Sequence, residues 1–332
     1  MTETCTVLIS SAGRRVALLE CFRTALKSLG LQGRVIAVDM SPLSSAFHRA
    51  DVGYVVPRCT DEEFVPRMLE ICRQEHVRLI VPTIDTELPV YAKHRASFES
   101  IGTHILVSST ETVSLSGDKV LTHRWLVEHG FPTVRQAPPA EVIRDPSAWQ
   151  FPLVAKPVRG SASIGLARVH DGDELRTAVR GGEYIVQTIA PGREFTVDVL
   201  VDREGRARCA VPRLRIEVRA GEVSKGMTVR HPHLEGLARQ LCEALPGAYG
   251  VITVQLFYDE ASGETSVIEI NPRFGGGFPL AWRAGAHYPR WILEELLGLP
   301  PTVRDDGWRD GLVMLRYDEA VFVDAASVGL GT

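Results

Sequence analysis

The sequence predicts a doubly wound parallel-sheet α/β domain over residues 1–113, followed by a strand-rich α+β half over residues 114–332. Three observations carry this. Short apolar runs alternate with amphipathic helical patterns of 10 to 17 residues through the first third, which implies crossover units and a parallel sheet. From Ser114 onward several runs alternate polar and apolar residues, as antiparallel strands with one covered face do. A chain of 332 residues also exceeds what one hydrophobic core usually supports.

In the first domain, TVLISS reads as a strand, RRVALLECFRTALKSLG as a helix ending at a glycine, and RVIAVD as the next strand. DEEFVPRMLEICRQEH reads as a helix capped by Thr60 or Asp61. RLIVPT, ELPVYAKHRASFESIG and HILVSS complete the pattern as strand, helix and strand. The second half opens with one helix over SGDKVLTHRWLVEHG, then a proline-rich connector. Strands follow in FPLVAKPV, GLARVH, EYIVQTI, REFTVDVLVD and RARCAVPRLRIEV. The helix LEGLARQLCEALPG, the strands YGVITVQLFYD and SVIEINPR, and the helix WILEELLG end the recognisable elements.

Composition narrows the function. A net charge of −4 argues against a nucleic-acid coat and for a small-molecule partner. No apolar run approaches the roughly 20 residues of a membrane helix, and no charged-then-apolar leader opens the chain, so a cytoplasmic protein without membrane partners is expected. The six cysteines form no C-x-x-C pair and read as reduced, mostly buried side chains. Only five of the 37 basic residues are lysines: Lys27, Lys93, Lys119, Lys156 and Lys225. Each is therefore a residue to account for.

Residues 253–277, TVQLFYDEASGETSVIEINPRFGGG, read as a hairpin. Glu269 and Asn271 lie two apart and share a face, and Gln255 can lie across from them. One carboxylate and two amide oxygens suit a hard divalent cation shared with phosphates. By itself the hairpin fits a solvent-facing polar stripe as well. Arg273 and the FGGG run add a cation and a backbone that a ligand can approach closely.

In FPLVAKPVRGSASIGLARV a strand delivers Lys156, and a turn containing Gly160, Ser161 and Gly165 leads to the next strand. Backbone N–H groups of such a turn can close over phosphates, although a surface hairpin has the same composition. It is not a Walker A loop, because Leu166 and Ala167 stand where Lys and Ser/Thr belong. In EYIVQTIAPGREFTVDVLVD the connector from Gln187 to Pro191 could read an adenine edge, and Glu194 could hold ribose hydroxyls.

In this order the three segments resemble the ATP-grasp superfamily, in particular its carbamoyl-phosphate-synthetase-like branch. There the metal ligands are Gln, Glu fourteen residues on, and Asn two later, the spacing of Gln255, Glu269 and Asn271. The resemblance implies a pre-ATP-grasp Rossmann-like domain (1–113), a small lid subdomain (114–189, flap 157–166) and a central and C-terminal subdomain (190–332). It implies ATP and magnesium, or manganese in its place, as cofactors. Lys119, Lys156, Gly160, Ser161 and Gly165 would meet the phosphates. Gln187, Ile189 and Ala190 would line adenine, Glu194 would hold ribose, and Arg273 would be catalytic. Apart from the resemblance, the cationic, glycine-bearing segment 213–233 offers Lys225 or Arg230 to close over the triphosphate or substrate in a catalytic role, with an ordinary polar hairpin as the competing explanation. The implied reaction is an ADP-forming carboxylate–amine ligation through an acyl phosphate. Carbamoyl phosphate formation or carboxylation is the alternative within the family, and a homodimer is among the assemblies implied.

A substrate site is expected at the carboxyl edge of the first sheet, where open α/β sheets bind ligands. Asp85 and Glu87 could hold an ammonium there; acids favoured at a helix start are the competing explanation. Ser10, Ser11, Arg14 and Arg15 suit a carboxylate or phosphate, which points to an amino-acid-like substrate. The opening turn, SSAGRR, followed by Asp39 suggests a dinucleotide site and hence an oxidoreductase, but it lacks two of the three glycines of that motif. A non-catalytic nucleotide-binding regulator is the remaining class, and the intact ligand set argues against it.

Overall fold

The computed structural model describes residues 4–160, 164–219 and 221–330. Strands β1 (Thr6–Ser10), β2 (Val35–Asp39), β3 (Val52–Val55), β4 (Val77–Pro82) and β5 (His104–Ile105) form a parallel sheet in the order β3-β2-β1-β4-β5. The chain direction across the sheet reverses between β1 and β4, so their carboxyl ends open a crevice. Strands β1 and β2 are buried nearly throughout, which is why their sequences are continuous apolar runs.

Strands β6 (Gln136–Ala137), β7 (Leu153–Pro157), β8 (Ala167–Val169) and β9 (Tyr184–Thr188) form a small sheet in the order β6-β9-β7-β8, antiparallel throughout. The helices Pro139–Arg144 and Gly172–Ala178 supply Val142 and Leu175 to its core beside Trp149, Leu153 and Ala155.

The third sheet comprises β10 (Arg193–Val201), β11 (Ala207–Arg219), β12 (Glu222–Thr228), β13 (Gly250–Tyr258), β14 (Thr265–Asn271) and β15 (Val313–Leu315). Its order is β14-β13-β10-β11-β12-β15, again antiparallel. Alternation along β10 and β13 sends Phe195, Val197, Ile252 and Val254 into a core shared with the helix Pro232–Ala244. Leu200 and Val251, on the opposite face, join Phe274, Phe278 and the helices Val16–Ser28 and Tyr288–Leu296 in a core that also takes in the first domain.

Several local expectations change. The expected single helix after Ser114 is two helices, Thr110–Gly117 and Lys119–Glu128, because Asp118 accepts hydrogen bonds from the Val120 and Leu121 N–H groups and starts a new one. Both helices touch β14, and Leu115, Trp125 and Leu126 belong to the core of the third sheet rather than to that of the small one. The helix expected from Thr60 begins at Phe64 without a side-chain cap; Asp61 serves the preceding turn by accepting from Glu63 N–H. Burial drives the Cys21, Cys72 and Cys209 thiols up to about 12, so these cysteines are inert packing groups. Among the described residues no helix is long and apolar enough to cross a membrane.

Candidate active site

A cleft of about 300 Å³ separates the small sheet from the third one. Residues 154 and 156 of β7 face it while Leu153 and Ala155 face the small core, so strand alternation alone aims Lys156 inward. Lys156 is 5% exposed. Its Nζ lies 3.8 Å from Glu269 Oε1, and Lys119 Nζ lies 4.0 Å from the same oxygen. Lys119, in the first turn of its helix, also donates to the Gly160 carbonyl at 2.7 Å and so ties the glycine turn to the cleft. Gly160, Ile164 and Leu166 line the cleft; Ser161 lies outside the described residues.

Across the cleft, Gln255 on β13 pairs directly with Glu269 on β14, and Thr253 with Asn271, so the three expected metal ligands share one face. Gln255 Nε2 donates to Glu194 Oε1 at 2.5 Å, which leaves its carbonyl oxygen as the available acceptor. The Glu269 carboxylate accepts no hydrogen bond among the described residues and faces only two ammonium groups. One charged and two neutral oxygens, with cations nearby, fit magnesium when phosphate oxygens complete its shell. No cluster of three or more His, Cys, Asp or Glu suited to a metal occurs among the described residues.

Gln187, Ile189, Ala190 and Glu194 line the same cleft. The Gln187 side chain donates to Gln136 Oε1 at 2.7 Å, so its amide holds β6 to β9 and only its backbone and neighbours are left to face a base. Gly192 has φ +83°, and a Cβ there would stand 2.2 Å from the Tyr258 carbonyl oxygen. Only glycine lets β10 begin against the end of β13 and deliver Glu194. Burial raises the Glu194 carboxyl above its ordinary range, against the pull of Arg215 and Gln255.

Sequence reasoning missed Arg215 and Phe257, which also line the cleft. Arg215 Nε stands 3.3 Å from Glu194 Oε2. The signal was present: Arg215 lies two residues after Arg213, and Phe257 two after Gln255, so each shares a strand face with its neighbour.

Arg273 does not stand free. Its Nε and Nη2 donate to the two oxygens of Asp85, both at 2.7 Å, joining the first domain to the end of β14. Asp85 is thus occupied by a guanidinium rather than waiting for an ammonium. Glu87 is fully buried and accepts from Ser10 and Ser11 Oγ at 2.6 and 2.8 Å and from the Thr83 and Ile84 N–H groups. Ser10, Ser11 and Glu87 therefore tie β1 to β4 instead of facing a substrate. Lys225 is exposed and paired with Glu217 at 2.6 Å, and it lines neither this cleft nor a neighbouring one; the expected catalytic role does not fit its position. Asp39 accepts from Gly13 N–H at 2.8 Å, so it closes the opening turn and is not free for a ribose as an oxidoreductase would require.

Lys156 yields a test. Burial, opposed by Glu269 and reinforced by Lys119, lowers its ammonium from 10.5 to about 8. Between these values the folded chain has released a proton that the unfolded chain keeps, so stability of the nucleotide-free protein rises as pH climbs from about 8 towards 10.5. Below pH 8 the buried charge costs up to roughly 3 kcal/mol. Lys156→Met is expected to raise the midpoint of urea unfolding at pH 7 while weakening MgATP binding at least tenfold; a lower midpoint together with intact binding would contradict the placement.

A nucleotide-sized cleft between two antiparallel sheets, with lysines on one side and a Gln/Glu/Asn set on the other, defines an ATP-grasp protein. The chain belongs to that superfamily: residues 116–277 match the model described as an ATP-grasp domain, and residues 7–106 the one described as a PylC-like, N-terminal domain. The carbamoyl phosphate synthase large chain of Thermotoga petrophila is 20% identical over 322 residues, covering 90% of this chain and 29% of its own length. A D-alanine–D-alanine ligase of Lacticaseibacillus casei is 26% identical over 183 residues, covering 52% and 48%. The chain thus spans less than half the length of these curated relatives. Among solved structures, the biotin carboxylase domain dimer of Hydrogenobacter thermophilus 2-oxoglutarate carboxylase, with MgADP, ADP and bicarbonate, superposes with a TM-score of 0.73 at 18% identity, covering 93% of this chain and 73% of that one. The N5-carboxyaminoimidazole synthetase of Staphylococcus aureus gives 0.69 at 14%, covering 91% and 79%. At these identities the likeness is one of fold.

Proposed function

We propose that the protein is an ATP- and magnesium-dependent, ADP-forming ligase that activates a carboxylate as an acyl phosphate and joins it to an amine. The observation that carries this is the convergence of Lys119, Lys156, Glu194, Gln255 and Glu269, from separate chain segments, on one cleft. Lys119 and Lys156 hold the phosphates, with Gly160, whose carbonyl Lys119 holds, beside them. Ile189 and Ala190 face the base, and Glu194 the ribose. Gln255, Glu269 and Asn271 hold the magnesium, which supplies charge neutralisation to the phosphate oxygens when bound.

The substrate carboxylate oxygen bonds to the γ-phosphorus as the bond to the β-phosphate oxygen breaks, and ADP leaves. The amine nitrogen then attacks the acyl carbon; the C–N bond forms, inorganic phosphate departs, and the amine proton passes to solvent. Arg273, oriented by Asp85, stands at the end of β14 to carry charge on the transferring group. No covalent protein nucleophile is required. The same proposal includes an amino-acid-like substrate, a cytoplasmic location and, by analogy with the dimeric biotin carboxylase neighbour, a homodimer.

Incubated with MgATP and pooled amino acids and carboxylic acids, the protein is expected to release ADP and phosphate in step with an amide. AMP and pyrophosphate would overturn the proposal. ADP release that required bicarbonate would move the assignment to the carboxylase side of the superfamily.

A further inference from the structure

A second and larger cleft, about 720 Å³, lies between the helix Val16–Ser28, strand β12, the helix Phe278–Ala284 and the segment that follows β15. The two clefts are neighbours across one turn: Val218 and Gly221 line the nucleotide cleft, while Arg219 and Glu222 line this one. Where it meets the glycine loop after Arg273, charge is out of balance. Glu222 is a single carboxylate among three guanidinium groups, with Arg316 at 3.0 Å, Arg15 at 3.2 Å and Arg14 at 3.9 Å. Arg316 also donates to the Gly276 carbonyl at 3.0 Å. A Cβ at Gly276 would fall 2.6 Å from Arg15 Nη1 and 2.9 Å from the Glu222 carboxylate, so the loop is packed directly on this cluster. Arg15 is held below its ordinary pKa by burial, and Arg273, Arg316 and Arg14 add to that against Glu222. A second anion beside Glu222 would relieve this repulsion. Further out, Val16, Val223, Pro279 and Trp282 supply apolar surface among charged side chains of both signs, Glu20, Arg49, Arg219, Arg283, Asp318 and Glu319.

We propose that this cleft is a second small-molecule site, which takes an amine acceptor bearing a carboxylate or phosphate group. Arg14 and Arg316 bind that anion with Arg15 behind them, and Val16 and Trp282 take the apolar part of the molecule. Only the word acceptor rests on the ligase proposal; the anion site stands on charge and shape. The acceptor's place next to the Arg273 loop brings its amine towards the end of β14, where an acyl phosphate would form. None of the residues expected from sequence to bind substrate, apart from Arg14, belongs to this cleft.

The test is equilibrium binding read by tryptophan fluorescence, with Trp282→Phe assigning the signal. Free α-amino acids, pooled by side-chain class, are expected to change Trp282 emission, and the matching α-amides to need at least tenfold higher concentrations. Competition by inorganic phosphate assigns the anion pocket to phosphate, and its failure to compete assigns it to carboxylate. Arg14→Ala, which changes a side chain 78% exposed, is expected to weaken binding at least threefold. The double variant Arg14→Ala, Arg316→Ala is expected to weaken it at least tenfold while leaving MgATP binding within twofold. Amides that bind as well as acids, or acids that bind the double variant unchanged, would overturn the proposal. Binding that persists while no acid and amine pair elicits ADP release would leave this site standing and overturn the ligase proposal instead.

Discussion

Glu269→Ala is expected to lower ADP release by on the order of 10³-fold while the protein stays folded. The carboxylate is the one formal negative charge in the Gln255, Glu269, Asn271 set, and it is also the counter-charge of Lys119 and Lys156. Under the proposed assignment its removal takes away the anionic ligand of the metal, and it leaves the Lys119 and Lys156 ammonium groups together without their shared counter-charge. With 26% of its side chain exposed, it holds no core together, so circular dichroism should change little, and the unfolding midpoint at pH 7 should fall only modestly as Lys156 loses its counter-charge. Calorimetry should show the loss in MgATP binding rather than in folding. Glu269→Gln keeps the shape and removes the charge; an active Glu269→Gln variant would show that the charge is not what the site uses.

Asp198→Ala is expected to cost about 3–5 kcal/mol of stability, the largest loss from a single substitution in the third sheet. Arg213 is 2% exposed and donates to Asp198 through Nε and Nη2 at 2.6 and 2.9 Å, and Thr253 Oγ donates to the same carboxylate at 3.1 Å. Deleting the carboxylate leaves a guanidinium buried without its counter-ion. The paired replacement Asp198→Leu, Arg213→Met removes both charges and is expected to regain most of that stability. It would not restore activity fully, because a Cβ at Gly277 would lie 2.1 Å from Arg213 Nη1: the guanidinium is the surface on which the glycine loop rests. Urea unfolding and ADP release measured on the same three variants separate the two effects. A double variant no more stable than Asp198→Ala would show that the pair contributes through more than its charge balance.

Legibility followed the range of the interactions. Strand alternation and the 255, 269, 271 spacing are local, and the paired strands place those residues on one face as expected. Lys156 is likewise aimed by the alternation of its own strand. What misled was polar residues whose partners lie far along the chain. Ser10 and Ser11 meet Glu87, 77 and 76 positions away, and Asp85 meets Arg273, 188 positions away. From sequence each looked available to a ligand, because a side chain's neighbours across a crevice leave no trace in its own segment. Lys225 is a different case: a rare residue type in a cationic, glycine-bearing stretch, it pairs at the surface with Glu217 on the adjoining strand.

The order of elements, the parallel first sheet, the shared face of Gln255, Glu269 and Asn271 and the inward lysine were written in short segments, since periodicity and spacing act within a few residues. The division of the cores was decided only in three dimensions: Leu115 and Trp125 pack under the third sheet, and the helix Val16–Ser28 against Tyr288–Leu296. So was the arginine-framed cleft, whose walls come from residues some 300 positions apart along the chain. Close packing and charge balance act between whatever surfaces the folded chain brings together, and no window of sequence contains both sides.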